Sequence, residues 1–236
     1  MIISKVAEHC GQADYGWLQA RYTFSFGHYF DPELLGYASL RVLNQEVLAP
    51  GAAFQPRTYP QVDILNIILQ GEAEYRDSNG NHARAKAGDA LLLATQPNVS
   101  YSEHNACHKT SLTRLQLWLN ACPTQENRTL QRLSLDKKGC HLLASPEETQ
   151  DQHSLYLRQQ VWIYHLDLNI HEQNTITLNG NRAYLQSING TMRINGITPE
   201  NSKTLHCGDG AFIQQEAKIT VLAETPMRAL LIDLVV

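Results

Sequence analysis

The chain has 236 residues, 43% of them hydrophobic and 18% charged, with a formal net charge of −4. That length buries a sizeable core as one large or two small domains, and the composition excludes a disordered chain. The acidic balance and the lack of a basic stripe exclude duplex nucleic acid and anionic membranes as direct partners.

The N-terminus, "MIISKVAEHCGQADYGW", lacks the charged-then-apolar plan of a signal peptide, and no apolar run approaches a membrane span. The expected location is the cytoplasm. Five cysteines, Cys10, Cys107, Cys122, Cys140 and Cys207, form no CxxC and are expected as thiols there. The Asn-x-Ser/Thr tripeptides at Asn98, Asn127 and Asn189 carry no meaning without secretion.

From Arg57 to Asp89 the chain reads "RTYPQVDILNIILQGEAEYRDSNGNHARAKAGD". "DILNIILQG" is an apolar strand ending at Gly71, "EAEYRD" alternates, and "SNGN" supplies an Asn-Gly turn. "HARAKAGD" leads to a second turn, then come "ALLLAT" as a buried strand, "VSYSEH" as an alternating one and "LTRLQLWLN" as a long one. A helix is predicted only around Asp151 to Tyr156. Short, evenly spaced strands indicate an all-β sandwich or barrel.

The second half repeats the first. "LQSINGTMRINGITPENSKTLHCGDGAFIQQEAKITVLAETPMRALLIDL" lies over "LNIILQGEAEYRDSNGNHARAKAGDALLLATQPNVSYSEHNACHKTSLTRLQLWL". Gly71 matches Gly190, and Gly88-Asp89 matches Gly208-Asp209, 120 residues on. A period of this length means duplicated domains. The predicted division is residues 1–125 and 126–236, with a polar linker at about 123–138. Glycine, strand, hairpin and a Gly-Asp turn before an apolar strand, occurring twice in register, is the pattern of two tandem cupin β-barrels, a bicupin of the double-stranded β-helix or jelly-roll type.

The first half is more specific. "RYTFSFGHYFDPELLGYASLRVLNQEVLAPGAAFQP" resembles the N-terminal signature of the pirin family: a Phe-Ser-Phe-Gly stretch, an Asp-Pro, and an "LRVLN" strand running to an "APG" turn. "LQGEAEYRDSNGN", the Gly-Asp turn and "LQLWLN" extend the resemblance to about residue 120, and the second half is compatible with the C-terminal pirin cupin. The pattern looks closest to an enterobacterial branch of pirin-like bicupins. Pirins typically hold one metal, often iron, on a His-x-His pair, a further His and a Glu. Counted back from Gly71, those positions fall here on Arg57, Tyr59, Tyr101 and Glu103, so only the glutamate is kept.

Residues i and i+2 of a strand share a face, so Arg57 with Tyr59, and Tyr101 with Glu103, are expected to line one barrel mouth. His104 then points outward. A guanidinium has no lone pair and repels a cation, so no metal is expected at this site. Arg57 is expected to pair with Glu103 while the tyrosines fill space; the functional alternative is a pocket for a small anionic or aromatic ligand. "EHNACHK" places His104, Cys107 and His108 together, and reads as a polar hairpin loop rather than a zinc site. His82 and His206 precede turns and are expected at the surface. His165, in "VWIYHLDL", is expected on a strand. Cys122 and Cys107, in linker and loop segments, are the candidate redox thiols.

The resemblance implies two activities: opening of the flavonol ring by a quercetin dioxygenase, and partner binding in transcriptional regulation. With three of four ligands replaced, the reading favours a non-metal protein, plausibly monomeric, that binds a small molecule or a protein partner and is responsive to redox. A dioxygenase with an altered site for one divalent metal, Fe or Ni, is the alternative.

Overall fold

In the computed structural model, residues 1–122, 130–147, 153–198 and 201–235 are described. They form strands throughout, with one short 3₁₀ turn at Ala7–His9 and no α-helix among the described residues. Among the described residues, no helix is long and apolar enough to cross a membrane. The strands are β1 (Ile2–Lys5), β2 (Gly11–Asp14), β3 (Leu18–Tyr22), β4 (Leu40–Leu48), β5 (Ala53–Thr58), β6 (Val62–Gln70), β7 (Glu72–Asp77), β8 (His82–Lys86), β9 (Asp89–Ala94), β10 (Ser100–Asn105) and β11 (Leu112–Asn120). They continue as β12 (Leu130–Ser134), β13 (Gly139–Ser145), β14 (Leu155–Tyr156), β15 (Val161–Leu168), β16 (Gln173–Thr177), β17 (Arg182–Asn189), β18 (Met192–Asn195), β19 (Ser202–Leu205), β20 (Gly210–Gln214), β21 (Lys218–Ala223) and β22 (Met227–Leu234).

The chain divides into two compact units. The N-terminal unit comprises Gly11–Leu135 and Leu155–Gln159; the C-terminal unit comprises Met1–Cys10, Asp136–Ser154 and Gln160–Val236. The N-terminal unit pairs a sheet ordered β12-β9-β6-β11-β4-β3-β2 with a smaller one ordered β5-β10-β7-β8. Between them lies a core of Leu48, Tyr59, Ile64, Ile68, Tyr75, Leu91 and their neighbours. The C-terminal unit repeats the plan with β1-β20-β17-β22-β15-β13 and β16-β21-β18-β19 around Leu185, Ile194, Ile213, Val221 and Leu231.

The turns that revealed the duplication are physically equivalent. Gly71 and Gly190 take φ of +81° and +77°, and a Cβ on either would meet a backbone oxygen, of Ser111 at 2.7 Å or Pro226 at 2.3 Å. Only glycine suits both the conformation and the close approach. Asp89 accepts the Lys86 amide at 3.0 Å, and Asp209 accepts the His206 amide at 2.9 Å, closing the same tight turn in each repeat.

Three details depart from the expectation. Residues Met1–Cys10 do not stay with the first barrel: β1 pairs with β20 in the C-terminal unit, at the position β12 occupies beside β9. Leu155–Gln159 moves the other way, into the N-terminal unit. The predicted helix at Asp151 to Tyr156 ends instead as strand β14, whose Tyr156 backbone is bracketed by the Gln131 amide at 2.8 and 3.0 Å; Asp151 itself lies outside the described residues, as does part of the expected linker.

Candidate functional site: a closed ion network in the N-terminal unit

Strands β5 and β10 run antiparallel, with Arg57 opposite Tyr101 and Phe54 opposite Glu103 across a bulge. The extra residue lies on β5, between Phe54 and Arg57; β10 itself keeps an unbroken register with β7, so Tyr101 and Glu103 share the inward face, as expected. Glu103 is buried at 1% exposure and turns inward. Its Oε1 accepts the Tyr59 phenol at 2.5 Å, and Tyr59 in turn accepts the Arg57 Nε–H at 2.8 Å. The Arg57 guanidinium lies 3.8 Å from the same Oε1, stacked 4.7 Å over the Phe54 ring and 5.0 Å over Tyr59. Arg57 therefore does approach Glu103, chiefly through the phenol.

The principal counterion is Arg114, which inspection of the sequence missed. It is 0% exposed, and its Nη1 donates to Glu103 Oε2 and, at 3.0 Å, to the Tyr75 phenol. Its Nε and Nη2 donate to Glu46 Oε2 at 3.0 and 2.7 Å. Gln116 adds an amide donor to Glu103 Oε2 at 3.0 Å, and its own oxygen accepts the Trp118 indole at 2.9 Å. A signal was present: in "LTRLQLWLN", Arg114, Gln116 and Trp118 alternate with Leu115, Leu117 and Leu119, which makes Leu112 to Trp118 one inward face.

The network closes electrically. Two guanidiniums face two carboxylates, and the phenols stay neutral. Burial pushes Glu103 upward, but Arg114, the Tyr59 hydroxyl and Arg57 outweigh it and hold the carboxyl below its ordinary value. Burial and the Glu103 charge push the Tyr59 phenol far above its usual range. Glu103 is thus an anion and Tyr59 an acid-silent donor at every ordinary pH.

Tyr101 lies on the same inward face, but its hydroxyl is engaged elsewhere. Its ring lies 5.9 Å from that of Tyr59, and its hydroxyl accepts the Gln96 amide at 2.9 Å, away from Glu103. Tyr59 also stacks edge-on against Trp118 at 5.1 Å, and Trp118 against Phe26 at 5.5 Å. The expected ligand space among Arg57, Tyr59, Tyr101 and Glu103 is therefore occupied by aromatic rings. Donor chemistry argues against a metal at this position: a metal would need Glu103 oxygens already taken by Tyr59, Arg114 and Gln116, and would face two cations. Among the described residues, no three His, Cys, Asp or Glu side chains are grouped to hold an ion. His104 points away from Glu103, as expected, and meets Ser102 at 3.0 Å.

A second buried pair lies in the same unit. Asp63 accepts the Arg158 backbone amide at 2.7 Å and its Nε at 2.8 Å, while the Arg158 guanidinium also donates to the carbonyls of Thr95 and Val62 at 3.1 and 2.9 Å. Arg158 O accepts the Cys122 amide at 2.7 Å. This anchors Leu155–Gln159 to the sheet.

The remaining candidates separate by environment. Cys107 is half-buried, and hydrogen bonds from Thr110 and from the Lys109 amide lower its thiol pKa. Cys122 is half-buried. Cys140 is pushed up to about 11 by burial, whereas Cys207, grouped with it by sequence, is exposed because its turn faces solvent. His82 and His206 are exposed, and His165 lies on β15, buried at 2%.

Comparison with known proteins agrees with this architecture. The pirin family model matches residues 3–119, and a quercetinase C-terminal cupin model matches residues 142–234. The pirin-like protein YhaK of Escherichia coli K12 is 65% identical over 235 residues, with 99% of each chain covered. The quercetin 2,3-dioxygenase of the same strain is 30% identical over 240 residues, again with 99% of each covered. Among solved structures, YhaK from Escherichia coli superposes with a TM-score of 0.81, covering 98% of this chain and 100% of that one, and the nickel(II) complex of bacterial pirin YhhW, 28% identical, with a TM-score of 0.90, covering 99% of each.

Proposed function

The chain belongs to the pirin family, and from that premise we propose that it is a bicupin that works without a metal at its N-terminal site and binds a small molecule or a protein partner instead of oxidising a flavonol. The observation behind this reading is the double engagement of Glu103, by Tyr59 on one oxygen and by Arg114 and Gln116 on the other. Flavonol oxygenation draws on a metal to bind substrate and assist O₂ chemistry. Here the equivalent ligand is spent on internal charge balance, and the Arg57 cation covers it from the outside. We place the protein in the cytoplasm as a monomer that engages neither nucleic acid nor membrane, with the thiol of Cys107 or Cys122 as its redox-responsive element.

The second reading, a quercetin-dioxygenase-like enzyme with an altered metal site, is favoured by the 30% identity to a protein of that name. Metal analysis of the full chain purified without chelator, followed by quercetin consumption under air, separates the two. The proposal expects metal well below one equivalent and no turnover. Stoichiometric iron or nickel with turnover reverses it.

A further inference from the structure

Away from the Glu103 network, the larger sheet of the N-terminal unit ends in β4, β3 and the edge strand β2. Ala20 and Tyr22 belong to the core, so Gln19 and Arg21 of β3 face outward. The same alternation turns out Gln12 and Asp14 of β2 and, opposite the inward Glu46 and Leu48, Gln45 and Val47 of β4. The register sets Arg21 between Gln12 and Gln45, and Gln19 between Asp14 and Val47. Two rows across three strands thus line a recess of about 410 Å³. Side chains directly opposite in such rows have Cβ atoms roughly 5 Å apart, close enough to grip one small molecule together.

Arg21 differs from Arg57, Arg114 and Arg158, whose guanidiniums are held by phenol, carboxylate or carbonyl oxygens. Among the described residues, the half-buried Arg21 guanidinium has no hydrogen-bond or ion-pair partner, and neither do the side-chain amides of Gln12 and Gln45. Asp14 supplies the opposite charge at the far row. It accepts the Gly16 amide at 2.8 Å and the Gln19 amide at 3.2 Å, which fixes the Gln19 side chain.

We propose that this recess is a binding site for a small hydroxylated monocarboxylate of the sugar-acid type. The fork of Arg21 matches one carboxylate bidentately, with the Gln12 and Gln45 amides on either side. Gln19 and Asp14 offer acceptors and a donor to hydroxyl groups one row away. The Asp14 charge disfavours a dianionic phosphate. A lining with Val47 as its largest apolar group gives little to an aromatic or aliphatic ligand, and the volume suits a molecule of monosaccharide size.

Calorimetric titration of the full chain with D-gluconate and D-galacturonate tests this, with D-glucitol, D-galactose and inorganic phosphate as controls. The site predicts one equivalent of at least one sugar acid and no measurable binding of the controls. Arg21→Gln is expected to weaken the acid at least about tenfold, the worth of one charge-assisted contact, with the urea midpoint unchanged. Gln12→Ala, on the exposed edge strand, checks the location independently of any folding defect at Arg21 and is expected to weaken binding less. Absence of binding by both acids overturns the proposal. So does equal binding of a neutral control or phosphate, or unaltered affinity in both variants.

Discussion

Tyr59 hands its hydroxyl hydrogen to Glu103 at 2.5 Å while accepting the Arg57 Nε–H at 2.8 Å, so one phenol links a half-buried cation to a buried anion. Tyr59→Phe removes both bonds and leaves Glu103 Oε1 buried with Arg57 as its remaining neighbour on that side. The expected cost is about 1–3 kcal/mol, the usual penalty for stranding a buried acceptor. A urea titration should show a lower midpoint with an unaltered slope. An unchanged midpoint would mean that water or Arg57 replaces the phenol fully.

Arg114 carries more. Arg114→Met keeps most of the volume but leaves Glu46 and Glu103 as two buried anions without their common cation. Removing one partner of a buried ion pair costs about 3–5 kcal/mol. The variant should therefore unfold at a much lower urea concentration than Tyr59→Phe. Adding Glu46→Gln and Glu103→Gln to Arg114→Met should recover a large part of the loss, because the stranded charges go with it. If the triple variant is no better than the single one, packing rather than charge is what Arg114 supplies.

The sequence carried the bicupin plan openly because the turn residues have short-range causes: Gly71 and Gly190 against a backbone oxygen, Asp89 and Asp209 capping their own turns. It also gave the approach of Arg57 to Glu103, since alternation on paired strands is a local rule. What it concealed was long-range. Nothing near Met1–Cys10 tells that β1 completes the other unit's sheet, and nothing near Glu103 names a counterion eleven positions on. Alternation along β10 holds, with Tyr101 and Glu103 on one face; what no local rule shows is that the Tyr101 hydroxyl is taken by the Gln96 amide and the space between is filled by rings.

The thiols are expected to react in an order set by environment. Cys140, pushed up to about 11, holds roughly one thiolate in a thousand at pH 8. Cys107 is half-buried but has its thiol pKa lowered by hydrogen bonds, and Cys207 is exposed. Brief iodoacetamide treatment and peptide mass spectrometry should find Cys107 labelled first and Cys140 last, with Cys207 ahead of Cys140. Early labelling of Cys140 would show that the C-terminal barrel opens on the reaction timescale.

His165 supplies a pH dependence. Burial and then the Arg228 charge bring its pKa down to about 4, and its buried Nε2 lacks a hydrogen-bond partner among the described residues. The fold therefore prefers the neutral imidazole. Above the unfolded value of about 6.5 neither state binds the proton and the residue gives no slope. Between about 6.5 and 4 the unfolded chain takes up a proton that the fold refuses, so stability falls as pH falls; below that it levels off. The wild-type minus His165→Leu difference in urea midpoint should shrink or reverse across that window. A constant difference from pH 7 to 4 would show that His165 titrates normally in the fold.

The ligand positions themselves can be tested by restoring them. Replacing Arg57, Tyr59 and Tyr101 together with histidine removes the outer cation and the phenol that caps Glu103 Oε1. Oε1 is then open toward three neutral imidazoles, while Arg114 and Gln116 keep hold of Oε2 and orient the carboxylate as outer-shell groups do. Glu46 still balances Arg114, so the remaining cation is not left unpaired beside the ion. The triple variant is expected to take up one equivalent of Ni²⁺ or Fe²⁺ by calorimetric titration, and the parent none. Arg57→His alone should bind far more weakly, since Tyr59 still occupies Oε1. Position 101 is the point of risk: the shorter histidine reaches the ion only if its ring stays on the side of Tyr59, where the Tyr101 ring now lies. A folded triple variant that takes up no metal, set beside a quadruple variant that adds Arg114→Gln and does, would place the obstacle in the Arg114 charge. If neither binds, the backbone of β10 holds position 101 too far from the site for an imidazole to reach the ion.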